Sequence, residues 1–158
     1  MLVWNRTDEH AQSLVNDLEM MGYEPSVVGS PEQVASGANL IVTTTPSREP
    51  LLQAKWIQPG THITAVGSDT AEKQELDPAI LSRAIVVSDS LSQSESRGEV
   101  YRAVEAGVLK RSDVVELGNV IGGRATGRSS ADDITVADLT GVAVQDLAIA
   151  TAVLNACP

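Results

Sequence analysis

Short apolar runs and amphipathic segments alternate along this chain from its second residue, and that alternation limits the fold more than any other feature. Parallel strands need a crossover, usually a helix, to reach one another, so strand–helix alternation predicts a mainly parallel sheet of five or six strands covered on both faces: an α/β, three-layer domain. Leu2-Val3-Trp4 reads as a strand. Thr7 or Asp8 can cap a helix starting near Glu9, where Ala11, Leu14, Val15 and Leu18 recur at helical spacing until Gly22 stops it. Ser26-Val27-Val28 is a second strand, and Ser30-Pro31-Glu32 opens a short helix with proline in its preferred early place. Asn39 to Thr44 is a strand apolar on both faces, as buried parallel strands are. Further strands are expected at His62–Val66, Ala84–Ser88 and Ile134–Ala137. Helices are expected at Asp77–Arg83, Ser90–Ala106, Asp113–Ile121 and Gly141–Ala156, with loops over Pro46–Pro59 and Gly122–Ala131.

The 158 residues suit a single domain, residues 1–158, and a chain this long buries roughly 70% of its unfolded surface, enough for its own core. With 11 basic against 21 acidic residues and a net charge of −10, it repels phosphate backbones, so nucleic acid is not an expected partner. Its aromatics, Trp4, Tyr23, Trp56 and Tyr101, offer no stacking platform. Cys157 is the only cysteine and His10 lies far from His62, so neither an intrachain disulfide nor a metal site is expected. No apolar run approaches the ~20 residues of a membrane span. The opening MLVWNRTDEH lacks the basic end and apolar core of a signal peptide, which leaves the cytoplasm as the expected location. The last helix carries Asp146 as its only acid and has to lie against the sheet, another helix or a partner.

Four segments together resemble the ornithine cyclodeaminase and mu-crystallin family. They are Val3-Trp4-Asn5-Arg6-Thr7; Ile41 to Pro50 (IVTTTPSREP); Pro59 to Asp69 (PGTHITAVGSD); and Asp133-Ile134-Thr135-Val136 with Thr140 to Asp146 (TGVAVQD). Lys73-Gln74-Glu75-Leu76-Asp77 falls between them in matching order, and the resemblance covers essentially the whole chain. It implies an NAD(P)-binding, Rossmann-like domain. It also implies that parts are missing, because members are about twice as long. The expected absences are an N-terminal domain that forms the dimer and binds substrate with basic residues, the first Rossmann strand, and the glycine-rich phosphate loop. The sequence itself contains no G-x-G-x-x-G; the glycines from Gly118 to Gly127 follow a helical pattern rather than a strand.

The resemblance also supplies roles. In a dinucleotide fold the end of the second strand reads the adenosine ribose, an acid favouring NAD and a basic residue NADP. Asn5, Arg6 and Thr7 occupy that place, with the alternative of a solvated arginine and a helix cap. Thr44, Thr45 and Pro46 leave a strand's C-terminal end, where the family passes the ribose and nicotinamide; the alternative is a plain polar strand exit. Val66 and Gly67 leave the next strand end and are assigned to the cofactor as well. Asp69 matches the aspartate that handles protons at the substrate's nitrogen or at a water, and Lys73, four residues on, can pair with it. The alternative is a cap with an exposed ion pair. Gly141 and Val142 match the loop beside the nicotinamide, or form a tight helix start. Arg124 and Arg128 sit in a polar loop able to meet an anion or simply to be solvated.

Three functions stay open on these grounds. The chain is a dinucleotide-binding domain inactive alone, with NADP or NAD affinity weak or lost; or it is half of a two-chain cyclodeaminase or imine reductase; or it is a stand-alone binding or oligomerisation module. Without a first strand, the Leu2–Trp4 strand either moves beside Ile41-Val42 or a partner covers the exposed edge. With the apolar last helix, this predicts a homo-oligomer, most simply a dimer.

Overall fold

The protein is described over residues 1–157 by a computed structural model. Its elements run β1 (Leu2–Val3), α1 (Asp8–Met20), β2 (Ser26–Val27), α2 (Pro31–Gly37), β3 (Leu40–Thr43), β4 (His62–Ala65), α3 (Pro78–Leu81) and β5 (Ile85–Ser88). They continue with α4 (Gly98–Glu105), β6 (Val115–Glu116), α5 (Leu117–Ile121), β7 (Thr135–Asp138) and α6 (Ala143–Ala156). The strands form two all-parallel sheets, β1-β2 and β3-β4-β7-β5-β6. The fold is α/β, as the alternation predicts.

Register fixes what the larger sheet presents at its ends. Thr43, Ala65, Asp138 and Ser88 lie side by side as the last residues of β3, β4, β7 and β5. One face of this sheet is dry. Ile41, Ile63, Val136 and Val86 project there onto Leu52, Leu76, Ile80, Leu81 and Val100, from α3, α4 and the intervening loops. The opposite face is open along β3: Leu40 is 65% and Val42 59% exposed. Asn39–Thr44 has the composition of a strand covered on both faces, yet these residues cover only one. A smaller cluster of Val3, Ala11 and Val15, with Leu18 against it, holds α1 to the two-stranded sheet.

Several boundaries differ from the sequence expectation. Ser90–Ala106 is not one helix: a 3-10 turn spans Gln93–Glu95, and α4 starts only at Gly98, whose φ of +90° breaks the run. Asp113–Ile121 divides into a 3-10 turn at Arg111–Asp113, β6 and α5, because Val115-Glu116 pairs with β5. Thr7 stands at the N-cap of α1 without a side-chain bond; its own N–H donates to Asn5 Oδ1 at 2.9 Å. β1 does not move beside Ile41-Val42; it pairs with β2, and β3 with β4, so each keeps an edge without a strand partner among the described residues. α6 does not fold back on the sheet. None of its residues is buried, and Val144, Leu147, Ile149, Val153 and Leu154 are 57–74% exposed. Among the described residues no helix is long and apolar enough to cross a membrane.

Candidate functional site

Ligands of open parallel sheets bind outside the strands' C-terminal ends. Here the common register sends four loops out at one such end: Thr44–Ser47 after β3, Val66–Thr70 after β4, Leu139–Val142 after β7 and Asp89–Ser92 after β5. A cavity of about 430 Å³ opens beside the β4 and β7 exits, lined by Asp69, Gln93, Arg97, Thr140, Gly141, Val142 and the first turns of α6. A larger cavity of about 680 Å³, beside Lys55, Gln58, Arg83 and Asp132, lies at the other end, where β4, β5 and β7 begin. Its position is wrong for a parallel-sheet ligand.

The sequence-assigned residues divide into two groups. Thr44, Thr45, Pro46, Val66, Gly67, Asp69, Gly141 and Val142 all leave the larger sheet at this end, and Asp69, Gly141 and Val142 share the cavity wall. Asn5, Arg6 and Thr7 follow β1 in the smaller sheet; Arg6 is exposed, and Asn5 is engaged by the Thr7 N–H. Asp69 is exposed, and Lys73 Nζ donates to its Oδ1 at 2.5 Å. That bond holds the Asp69 carboxyl below the usual carboxylate range, with Arg97 adding a smaller pull in the same direction. Asp69 is therefore an ionised, cation-paired group at neutral pH. Gly141, at φ +83°, donates its N–H to Asp89 Oδ2 at 2.8 Å, and Thr140 Oγ1 donates to Asp89 Oδ1 at 3.2 Å.

Arg124 and Arg128 brace their own loop rather than face this site. Arg128 donates to the carbonyls of Ala131 and Gly60 and to Thr135 Oγ1, and Arg124 to Asn119 Oδ1 and the Gly118 carbonyl. His62 bridges Thr135 Oγ1 and Thr64 Oγ1 on the sheet.

Beneath the loops lie three carboxyls that the sequence pattern does not single out. Glu75, Glu99 and Asp138 are each at most 1% exposed. Burial pushes Glu99 up to about 7, against the opposing hydrogen bonds from Ser68 and the Glu75 backbone and with added repulsion from Asp138. Burial likewise pushes Asp138 up to about 6, although the Val100 N–H donates to it at 2.9 Å. The one sequence signal was positional: Asp138 closes an apolar parallel strand, where a polar residue has to meet either ligand or buried donors. Glu75 and Glu99 sit in polar stretches whose burial depends on distant segments.

Comparisons with known proteins agree with this architecture. The family model for the ornithine cyclodeaminase/mu-crystallin family matches residues 1–157. An uncharacterized cyclodeaminase, y4tK, of Sinorhizobium fredii is 47% identical over 152 residues, 94% of this chain and 46% of its own. The crystal structure of the iminosuccinate reductase of Paracoccus denitrificans in complex with NAD+ superposes with a TM-score of 0.91 at 39% identity, over 98% of this chain and 47% of that one. An archaeal alanine dehydrogenase dimer with bound NAD superposes with a TM-score of 0.88 at 42% identity, over 95% of this chain and 47% of that one. The chain thus spans about half the length of the curated relatives it matches. A match across residues 1–157 makes the chain a member of the ornithine cyclodeaminase/mu-crystallin family.

Proposed function

We propose that these residues form the dinucleotide-facing half of an NAD(P)-dependent reductase or cyclodeaminase site and do not catalyse by themselves. The observation that carries this reading is the in-register exit of β3, β4 and β7 at one end of the sheet, with Asp69 and Gly141, after β4 and β7, on the wall of a cavity there. The residues fit the ribose–nicotinamide part of such a cofactor. Thr44 supplies an exposed hydroxyl, Gly141 leaves open space where a side chain would stand, and Val66, 41% exposed, offers an apolar surface at a strand end. They do not supply the diphosphate cradle, since the sequence has no G-x-G-x-x-G to turn backbone N–H groups onto phosphate. When bound, the nicotinamide supplies hydride transfer. The chain's own part is to seat that ring and to place Asp69 beside a substrate nitrogen. Paired with Lys73, Asp69 stabilises a developing cation or accepts a proton. Imines and amino acids are the substrate class, as for the iminosuccinate reductase, but positioning them requires groups these residues lack.

Titration with NAD and NADP tests this. By calorimetry the 158 residues alone should bind more weakly than micromolar, with NADP ahead of NAD because Arg6 stands where NAD enzymes carry an acid. Arg6→Asp should reverse that order. Micromolar or tighter binding by the wild-type chain would refute the missing-cradle argument, and an unchanged ratio would remove Arg6 from the site.

The remainder of the site lies outside these residues. The bare edges of β1 and β3 invite a strand, and the exposed apolar side chains of α6 invite a partner. A second copy is the simplest occupant, and a separate chain carrying the complementary half is the alternative. In sedimentation at micromolar concentration we expect a dimer, which Leu147→Glu dissociates. A single monomeric species would exclude self-association.

A further inference from the structure

Reading the strand exits as the dinucleotide-facing wall raises the question of what sets their spacing. We propose that Glu75 is the positioning residue of this site, its carboxylate locking the exits of β3 and β4 together from below. Oε1 accepts from the Thr45 N–H at 2.5 Å and from Thr45 Oγ1 at 2.8 Å. Oε2 accepts from Thr43 Oγ1 at 2.7 Å and from the Gly67 N–H at 2.9 Å. Two donors from one loop, one from the end of its strand and one from the neighbouring loop fill the four lone-pair positions a carboxylate has. Hydrogen bonds to a charged acceptor are about twice as strong as neutral ones, and in a fully buried place no water competes for them.

Glu75 is itself anchored. Its N–H donates to Glu99 Oε1 at 2.7 Å, the Leu76 N–H donates to Glu99 Oε2 at 3.2 Å, and Ser68 Oγ donates to Glu99 Oε1 as well. Glu99 belongs to α4, so a helix in the core fixes the segment that carries Glu75. Gly67 fits the same design: a Cβ there would stand 2.6 Å from the Glu75 carboxyl, so only a glycine admits it. The exit of β7 is tied separately, through Asp89 to Thr140 and Gly141. Glu75 therefore governs Thr44–Pro46 and Val66–Ser68 but not Gly141. This rests on the site reading given above.

The test uses the 158-residue chain with Glu75→Gln and Glu75→Asp. Glutamine brings an N–H₂ group against donors, and aspartate is too short to span both loops. Without ligand, amide hydrogen exchange at Thr45 and Gly67 should speed up at least about tenfold, the change that ~1.4 kcal/mol produces, beyond any change at Ile63 and Val136. With NADP at a fixed millimolar concentration, the amide shifts induced at Thr45 and Gly67 should shrink while those at Gly141 persist. A purely structural loss would diminish all three together. Unchanged exchange at Thr45 and Gly67 in a folded variant, or a uniform fall across the strands, overturns the proposal. A wild-type chain whose Thr45 and Gly67 amides ignore NADP overturns the site reading, while the ligand-free exchange decides separately whether Glu75 locks the two exits.

Discussion

Gly67→Ala should be the most damaging single methyl group that can be added to this chain. The backbone conformation at Gly67 does not demand glycine; the space does. A Cβ would lie 2.1 Å from the Thr45 carbonyl oxygen and 2.6 Å from the Glu75 carboxyl. The first is backbone and the second is held by four donors, so neither yields without breaking buried hydrogen bonds. Overpacking a core costs about 1–3 kcal/mol, and each buried donor left unpaired costs about 1–3 kcal/mol more. A loss of ~4 kcal/mol is expected, against a total stability of ~5–15 kcal/mol for an ordinary domain. Gly141→Ala is the control. Its φ of +83° disfavours a side chain but nothing lies within 4 Å of the added carbon, so it should lose only ~1–2 kcal/mol. Urea unfolding of both variants measures the difference, and equal midpoints would show that the strand exits are not locked as described.

Stability should fall as the solution is made more alkaline between about pH 5 and pH 8, the reverse of the usual acid-side trend. The cause is the buried pair of Glu99 and Asp138, raised by burial to about 7 and about 6. A carboxyl whose folded value lies above its unfolded value binds its proton more tightly in the native state. Its stabilisation is complete below the unfolded value and is lost as the pH climbs through the folded one. The window therefore opens near the ordinary carboxylate range and closes around neutrality. A displacement of this size corresponds to ~3 kcal/mol at one carboxyl, and because the two repel one another their effects overlap. Asp69 and Asp133 are displaced downward and act in the opposite sense at lower pH, but Asp69 is exposed and Asp133 only half-buried, so their contribution is small. Urea midpoints at pH 5 and pH 8 measure the trend, and Glu99→Gln should flatten it. A wild-type midpoint that rises between those two values would contradict the assignment.

What the sequence made legible follows from where each signal resides. β3 and β5 are written in consecutive apolar residues, β4 and β7 in apolar residues alternating with or flanked by threonine, and Pro31 and Pro78 mark helix starts locally, so these elements appear in the pattern itself. β6 is two residues long and is a strand only because β5 lies beside it. The late start of α4 is set by Gly98, whose added Cβ would meet Asp138 Oδ2 at 2.5 Å, a contact far off in sequence and invisible to local propensity. Asp69 and Gly141 were readable through family resemblance, and both reach the cavity wall. Arg97 and Gln93 reach it too, but they stand in a serine-rich stretch that reads as ordinary helix surface. Glu75 and Glu99 escaped for the same reason as β6: their burial is made by segments that return from elsewhere in the chain.

Whether the strand exits of this chain face a dinucleotide is tested most directly by an amide shift map of the 158-residue chain under millimolar NADP. The prediction is that shifts concentrate at Thr44, Thr45, Gly67, Asp69, Gly141 and Val142, at the C-terminal ends of β3, β4 and β7. Shifts confined to Lys55, Gln58 and Arg83 at the opposite end of the sheet, or none anywhere, would contradict it.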